Sequence, residues 1–289
     1  MKKYVVLTDS ACDLPQEMAD QHHIDILCFK LALDGEGYTE RVDFTPEQFS
    51  EMLRKTESMP TTAQITPYEF LDKFEQYAQD GVEEVLYVSI NGTGSATNSN
   101  AHAAAAQFKE EHPDSAMRIE IVDSHSYSVT YGIELCAASE RLAAGESLDS
   151  VVEYLNDRFA RLELVLTAYT LKVIRKSGRV SAAAAIAGDL LGIRPVFTLV
   201  DGVSQVVKKV RGDKQLLTAM VNHVKTRMTP GTPYYIGVTN HQYETEYAAA
   251  LEKSIGYAPK GIFHLGSAVC SKTGPEAVGI LFEGAKRER

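Results

Sequence analysis

Val85-Leu86-Tyr87-Val88-Ser89-Ile90-Asn91-Gly92-Thr93-Gly94-Ser95-Ala96-Thr97 is the stretch that decides the fold. An apolar run of strand length enters a loop of glycines and hydroxyls, and the alanine-rich residues 97–110 then have helix composition. A strand, a short loop and a helix in that order make half of a parallel crossover. The same grammar continues outward. Residues 4–7 read as a buried strand, followed by polar Thr8-Asp9-Ser10, a helix from Pro15 to about 21 and a second strand over 24–33. Asp34-Gly35-Glu36-Gly37 has hairpin-turn composition. Thr45-Pro46-Glu47-Gln48 and Thr66-Pro67-Tyr68-Glu69 each open a helix, with a hydroxyl cap, a proline in the first turn and acids beside the dipole. Downstream, residues 118–122 form a strand ending in Asp123-Ser124, with helices over 131–144 and 147–159. This alternation predicts an N-terminal three-layer α/β/α domain with a mainly parallel sheet.

Beyond residue 161 the grammar changes. Strands over 162–167, 196–199, 203–210, 234–238 and 261–265 and an apolar run at 277–282 mix with helices over 169–176, 213–228 and 243–255. Asp201-Gly202 marks a hairpin. The expected C-terminal domain is a two-layer α/β domain with a mixed sheet, giving domains 1–160 and 161–289.

Composition bounds the function. The 289 residues are 44% hydrophobic and 24% charged, with a net charge of -10, which argues against general nucleic-acid binding. Cys12, Cys28, Cys136 and Cys270 are far apart with no C-x-x-C pair, which fits a reducing cytoplasm better than a disulfide framework or cysteine zinc site. No run approaches the ~18 apolar residues of a membrane span. The N-terminal apolar run is too short for a signal peptide.

Two loops carry candidate chemistry. Met59-Pro60-Thr61-Thr62-Ala63-Gln64-Ile65-Thr66 offers hydroxyls, amides and backbone N–H groups, with no acid, base or metal ligand. The loop from Asn91 to Thr97 delivers free N–H groups at a helix start, a place for an anion. It lacks the third glycine of a dinucleotide fingerprint and the Gly-Lys-Ser/Thr of a P-loop, so a carboxylate suits it better than a polyphosphate. Asp123 and Ser124 share that rim, although such residues commonly just cap helices. The small-residue segment 181–191 reads as a helix that leaves room for a long apolar ligand. In Ser271-Lys272-Thr273-Gly274-Pro275-Glu276, read as a tight loop, Lys272 offers a cation to an anion across the domain cleft. The rival reading makes Ser95 a nucleophile, as a hydrolase or phosphate-processing enzyme, with His102 or His125 as its base. A third is a ligand-free sensor or scaffold. His125, His241 and His264 are scattered in sequence and suggest no metal geometry.

Taken in order, these pieces resemble the DegV family of bacterial fatty-acid-binding proteins, over essentially the whole chain. The family's T-D-S-x-x-D-L corresponds to Thr8-Asp9-Ser10-Ala11-Cys12-Asp13-Leu14, and its T-S-Q-P-S to Thr62-Ala63-Gln64-Ile65-Thr66. S-S-G-L-S-G-T corresponds to Asn91 through Thr97, and D-S to Asp123-Ser124. K-G-G-R-I-S matches Lys176-Ser177-Gly178-Arg179-Val180-Ser181, I-K-P matches Ile193-Arg194-Pro195, and Asp201-Gly202 precedes a basic strand as in the family. The resemblance implies a long-chain fatty acid buried between two domains, no catalytic residue, no metal and no cofactor. Its carboxylate would be held by Thr62, Ser95, Lys272 and Thr273. Lys272 stands where the family has the histidine of H-T-G-x-G, and Glu276 where it has that motif's last glycine. Ser10, Gly94, Ala96, Arg179 and Arg211 are further cleft candidates. The implied partner is a fatty acid kinase making an acyl phosphate for phospholipid synthesis in the cytoplasm, with no nucleic acid and at most transient membrane-surface contact.

Overall fold

A computed structural model describes residues 3–179 and 192–288. The helix expected over 181–191 lies outside the described residues. Contacts divide the chain into two compact units. One comprises Met1–Lys30 and Ala63–Phe159; the other comprises Leu31–Thr62 and Ala160–Arg289.

The first unit is built on a parallel sheet. β1 (Tyr4–Asp9), β2 (Ile24–Leu27), β6 (Glu84–Ser89) and β7 (Arg118–Asp123) lie in the order β2-β1-β6-β7. Every pairing is parallel, with Tyr4 opposite Glu84 and Glu84 opposite Arg118. β6 is buried along its whole length, which is why it reads as a continuous apolar run rather than an alternation. Around this sheet run α1 (Gln16–Gln21), α3 (Pro67–Gln79), α4 (Thr97–Glu111), α5 (Val129–Ala143) and α6 (Leu148–Phe159).

The second unit holds two sheets. β8 (Leu162–Ala168), β9 (Ile193–Val200), β10 (Val203–Arg211), β11 (Tyr234–Val238), β12 (Gly261–His264) and β13 (Ala277–Glu283) form a mixed sheet, in the order β10-β9-β8-β13-β11-β12. The helices α8 (Asp213–Arg227) and α9 (Glu244–Ile255) cover it. Their Leu216, Met220, Val224, Tyr247 and Leu251 pack on Val165, Val196, Ile236, Val278 and Ile280 of the strands. A smaller sheet joins β4 (Glu36–Thr39), β3 (Lys30–Leu33) and β5 (Thr61–Ala63). Beside it lies α2 (Pro46–Lys55), opened by a capping box in which Thr45 and Gln48 bond reciprocally. α7 (Leu171–Lys176) and α10 (Ser267–Thr273) also belong to the described part of this unit.

Four details differ from the sequence reading. The strand expected over 24–33 is two strands in different sheets, because Ser10 Oγ takes the Phe29 amide at 2.9 Å and turns the chain out of the parallel sheet. Residues 61–63, read as loop, form the short strand β5. Ser271, Lys272 and Thr273, read as loop, are the last turn of α10; Thr273 Oγ1 donates back to the Val269 carbonyl at 3.1 Å. Finally, residues 31–62 group with the C-terminal half and not with the N-terminal one. Leu31, Leu33, Phe44, Phe49 and Leu53 bury their side chains with Cys270, and each is under 10% exposed.

One ion pair in the second unit is asymmetric. Glu163 is 3% exposed and receives Arg227 at 2.6 Å and 2.8 Å, while Arg227 is 48% exposed. Removing the arginine strands a desolvated carboxylate. Arg227→Met should therefore cost roughly 2–3 kcal/mol in urea unfolding, somewhat below the loss for a fully buried pair. A loss within ~0.5 kcal/mol would show that the glutamate reaches water.

Candidate functional site

The carboxyl ends of the parallel strands form the rim of the first unit. Asp9, at the end of β1, is buried and accepts hydrogen bonds from two tyrosines and from the amides of Ile90 and Ala11. Tyr131 donates to it at 2.6 Å, Tyr87 at 3.0 Å and the Ile90 amide at 2.9 Å. Burial pushes its carboxyl up to about 6, and these hydrogen bonds only partly oppose that rise. By fixing Ile90, Asp9 sets where the next loop begins.

That loop is closed by its neighbours. Asn91 Nδ2 donates to the Tyr127 hydroxyl at 2.7 Å, and the Asn91 amide donates to the Ser126 carbonyl. The Gly92 amide reaches both oxygens of Asp123 at 3.1 Å. A Cβ on Gly94 would lie 2.1 Å from the Tyr127 hydroxyl, and one on Gly92 2.6 Å from Asp123 Oδ2. Both glycines are required by close approach of side chains. Neither has a positive φ.

Ser95 is held by its neighbour Thr97. Its Oγ lies 2.9 Å from Thr97 Oγ1 and accepts the Thr97 amide at 3.3 Å. Thr97 is fully buried while Ser95 is half-buried. When the threonine hydroxyl donates to the serine, the serine proton is left to donate elsewhere. Ala96 precedes the first residue of α4 with no side-chain cap, so the helix start is not blocked by its own side chain. Among the described residues no histidine hydrogen-bonds Ser95. His102 is exposed, and His125 pairs with Asp123 at 3.4 Å.

The second unit carries the other expected residues. Thr62 is half-buried on β5, and its hydroxyl has no hydrogen-bond partner among the described residues. Lys272 is half-buried at the end of α10 and forms no ion pair among the described residues. Burial pushes its ammonium down to about 8, and the positive charge of Arg179 acts in the same direction. Thr273 is buried with its hydroxyl committed to Val269. Glu276 serves a different end, accepting Arg54 at 2.9 Å, Gln242 at 2.9 Å, Tyr243 at 2.8 Å and Asn240 at 3.0 Å. Arg179 and Arg211 are exposed. Ser10 is buried and engaged with Phe29.

Sequence reasoning placed Asp9 and Asn91 at the ends of these strands and passed over Tyr127, which no motif marks. It also set His241 and His264 apart, whereas their rings lie 4.5 Å from each other. Among the described residues no helix is long and apolar enough to cross a membrane. None of the four cysteines forms a disulfide.

The Asp9 geometry has a pH signature. A raised carboxyl stabilises the fold fully below pH ~4, and that stability is lost as pH rises through about 6. The displacement corresponds to on the order of 3 kcal/mol. Urea midpoints measured between pH 4 and 7 should fall accordingly, and Asp9→Asn, which keeps the acceptor for Ile90, should flatten the fall. An equal fall in the variant would assign it to other groups.

Comparison with known proteins places this geometry in context. The family model described as "Uncharacterised protein, DegV family" matches residues 3–285. A DegV domain-containing protein of Caldanaerobacter subterraneus is 26% identical over 286 residues, covering 98% of this chain and 99% of its own. A DegV family protein of Thermus thermophilus, described by its fatty acid binding, has a TM-score of 0.84 at 25% identity, over 98% of this chain and all of that one. A stearic-acid-binding protein of Eubacterium ventriosum shares the fold, with a TM-score of 0.87 at 22% identity over 97% of this chain and 98% of its own.

Proposed function

Because this chain belongs to the DegV family, we propose that it binds one long-chain fatty acid. The carboxylate is held by Ser95, Thr62 and Lys272, while Thr273, whose hydroxyl is committed to the Val269 carbonyl, adjoins Lys272 without donating to the carboxylate. Gly94 and Ala96 form the adjoining loop, and Ser10, Arg179 and Arg211 lie outside direct contact with the head group. The two compact units act as its two domains. The protein carries the acid and does no chemistry on it, presenting it in the cytoplasm to a fatty acid kinase that makes the acyl phosphate.

The observation that carries this reading is Lys272. A half-buried ammonium, lowered by burial and with no carboxylate partner among the described residues, is a cation awaiting an anion. The full-length likeness to the fatty-acid-binding protein of Thermus thermophilus supports the identity of that anion. The Ser95 proton and the unengaged Thr62 hydroxyl supply neutral donors.

Magnitudes divide the labour. Hydrogen bonds to a charged group contribute roughly 1.5–3 kcal/mol each. Burying the acyl tail contributes about 0.8 kcal/mol per methylene, before the cost of ordering it. The tail supplies affinity and the head-group residues supply orientation.

Native mass spectrometry of protein purified from a bacterial host should show one fatty acid per chain. Ser95→Ala or Thr62→Ala should weaken rebinding of oleate by about 10-fold, one lost charge-assisted hydrogen bond. No co-purified lipid and no uptake of added oleate or palmitate would overturn the proposal. Lys272 sets a pH profile as well. Its ammonium is charged below about pH 8 and neutral above it in the free protein. Affinity should fall as pH rises through about 8, and Lys272→Met should bind more weakly at pH 7 and lose the decline. A variant with wild-type affinity and profile would remove Lys272 from the site.

A further inference from the structure

The carboxyl ends of β11 and β12 hold a cluster that the fatty-acid reading does not use. The two strands are parallel neighbours, with Val238 opposite His264. Beyond β11 the side chain of Asn240 caps the amide of Gln242, and the chain brings His241 beside the end of β12. The imidazole centres of His241 and His264 are then 4.5 Å apart. Glu47, from the first turn of α2, completes the group. Its Oε1 lies 2.7 Å from His264 Nδ1 and 3.6 Å from His241 Nε2. One ligand atom from each of the three lies within 4.8 Å of the other two. All three residues belong to the second unit.

The hydrogen positions show what the cluster needs. A carboxylate only accepts, so the 2.5 Å contact between Glu244 Oε1 and His241 Nδ1 places a proton on Nδ1. His241 Nε2 faces Glu47 Oε1 at 3.6 Å, beyond direct hydrogen-bond distance, which leaves room for a cation bound by both. His264 is 9% exposed, and its Nε2 is buried with no hydrogen-bond partner among the described residues, so none of these locks the tautomer from that side. The ring can surrender Nδ1 to a metal by giving up only its bond to Glu47. A carboxylate behind a metal-binding histidine, as Glu244 stands behind His241, fixes the ring and raises its basicity.

We propose that Glu47, His241 and His264 bind one divalent ion of the zinc, cobalt and nickel class, with Glu244 orienting His241. Two imidazoles and a carboxylate suit a borderline-soft ion and leave a fourth position for water. His241 at 60% exposure and Glu47 at 47% give the ion a way in. The bound ion ties the start of α2 to the ends of β11 and β12, so it stabilises the second unit by mass action. The site is independent of the proposed lipid site, and neither reading needs the other.

The test is zinc titration of tag-free, chelator-treated protein against a chromophoric competitor, with cobalt absorption as a second readout. One zinc per chain is expected, at micromolar affinity or tighter. Binding should weaken at least 10-fold in Glu47→Gln and His241→Ala, and about 10-fold in Glu244→Gln, where only the orienting contact is lost. His241 is exposed enough for its variant to fold, which circular dichroism checks directly. His112→Ala probes the exposed Glu75, Glu111 and His112 group on the first unit and should leave zinc binding unchanged. Absence of saturable zinc binding, binding indifferent to Glu47 and His241, or binding lost with His112 would each overturn the proposal.

Discussion

The buried carboxylate of Asp9 is the constraint from which the first unit's candidate site follows. Burying an ionisable group is costly unless its hydrogen bonds are satisfied. Asp9 meets that condition with the hydroxyls of Tyr87 and Tyr131 and the amide of Ile90. These three bonds tie β1, β6 and α5 together at the rim of the sheet. The exit of the chain at Ile90 is thereby fixed, and the loop through Asn91, Gly92 and Gly94 is held against Asp123 and Tyr127. The Ser95 hydroxyl is a product of that chain of contacts. The placement of that hydroxyl traces back to a carboxylate at the end of a different strand.

The second unit solves a related problem by the opposite means. Glu276 draws in Arg54, Asn240, Gln242 and Tyr243 and is saturated. Lys272, four residues earlier, is left without a counter-charge among the described residues. One helix turn and one loop thus hold a satisfied anion and an unsatisfied cation. Glu276 replaces the glycine expected from family resemblance, and it has become a structural hub for the unit.

The parallel sheet was legible because apolar runs end abruptly in Asp, Ser or Asn, and α2 and α3 because Thr-Pro with a glutamine or glutamate at the third helical position is a complete capping signal. The split between β2 and β3 was not legible. Nothing in residues 24–33 records that Ser10 will capture the Phe29 amide. α10 was hidden by its hydroxyls, whose bonds to the carbonyls of Ala268 and Val269 exist only once the helix has formed. His241 and His264 looked unrelated because their proximity depends on β11 and β12 being neighbours, a fact of sheet order and not of spacing. For the proposed carboxylate site, Thr62, Ser95 and Lys272 were reached through motif order. The bonding that gives each a spare donor or charge needed the fold.

The discontinuity of the second unit bears on how the chain is made. Phe49 and Leu53 on α2 share their cluster with Cys270, and Ser50 meets the Cys270 sulfur across 220 residues of sequence. At ribosomal rates of roughly 5–20 residues per second, the apolar face of α2 waits about 10–40 s for its cover. The first unit suffers the same interruption, since β1 and β2 precede residues 31–62 and β6 and β7 follow them. Neither unit can close in simple order of synthesis. A nascent chain of this architecture is therefore a natural client for chaperones that shield hydrophobic surface until the C-terminal strands emerge.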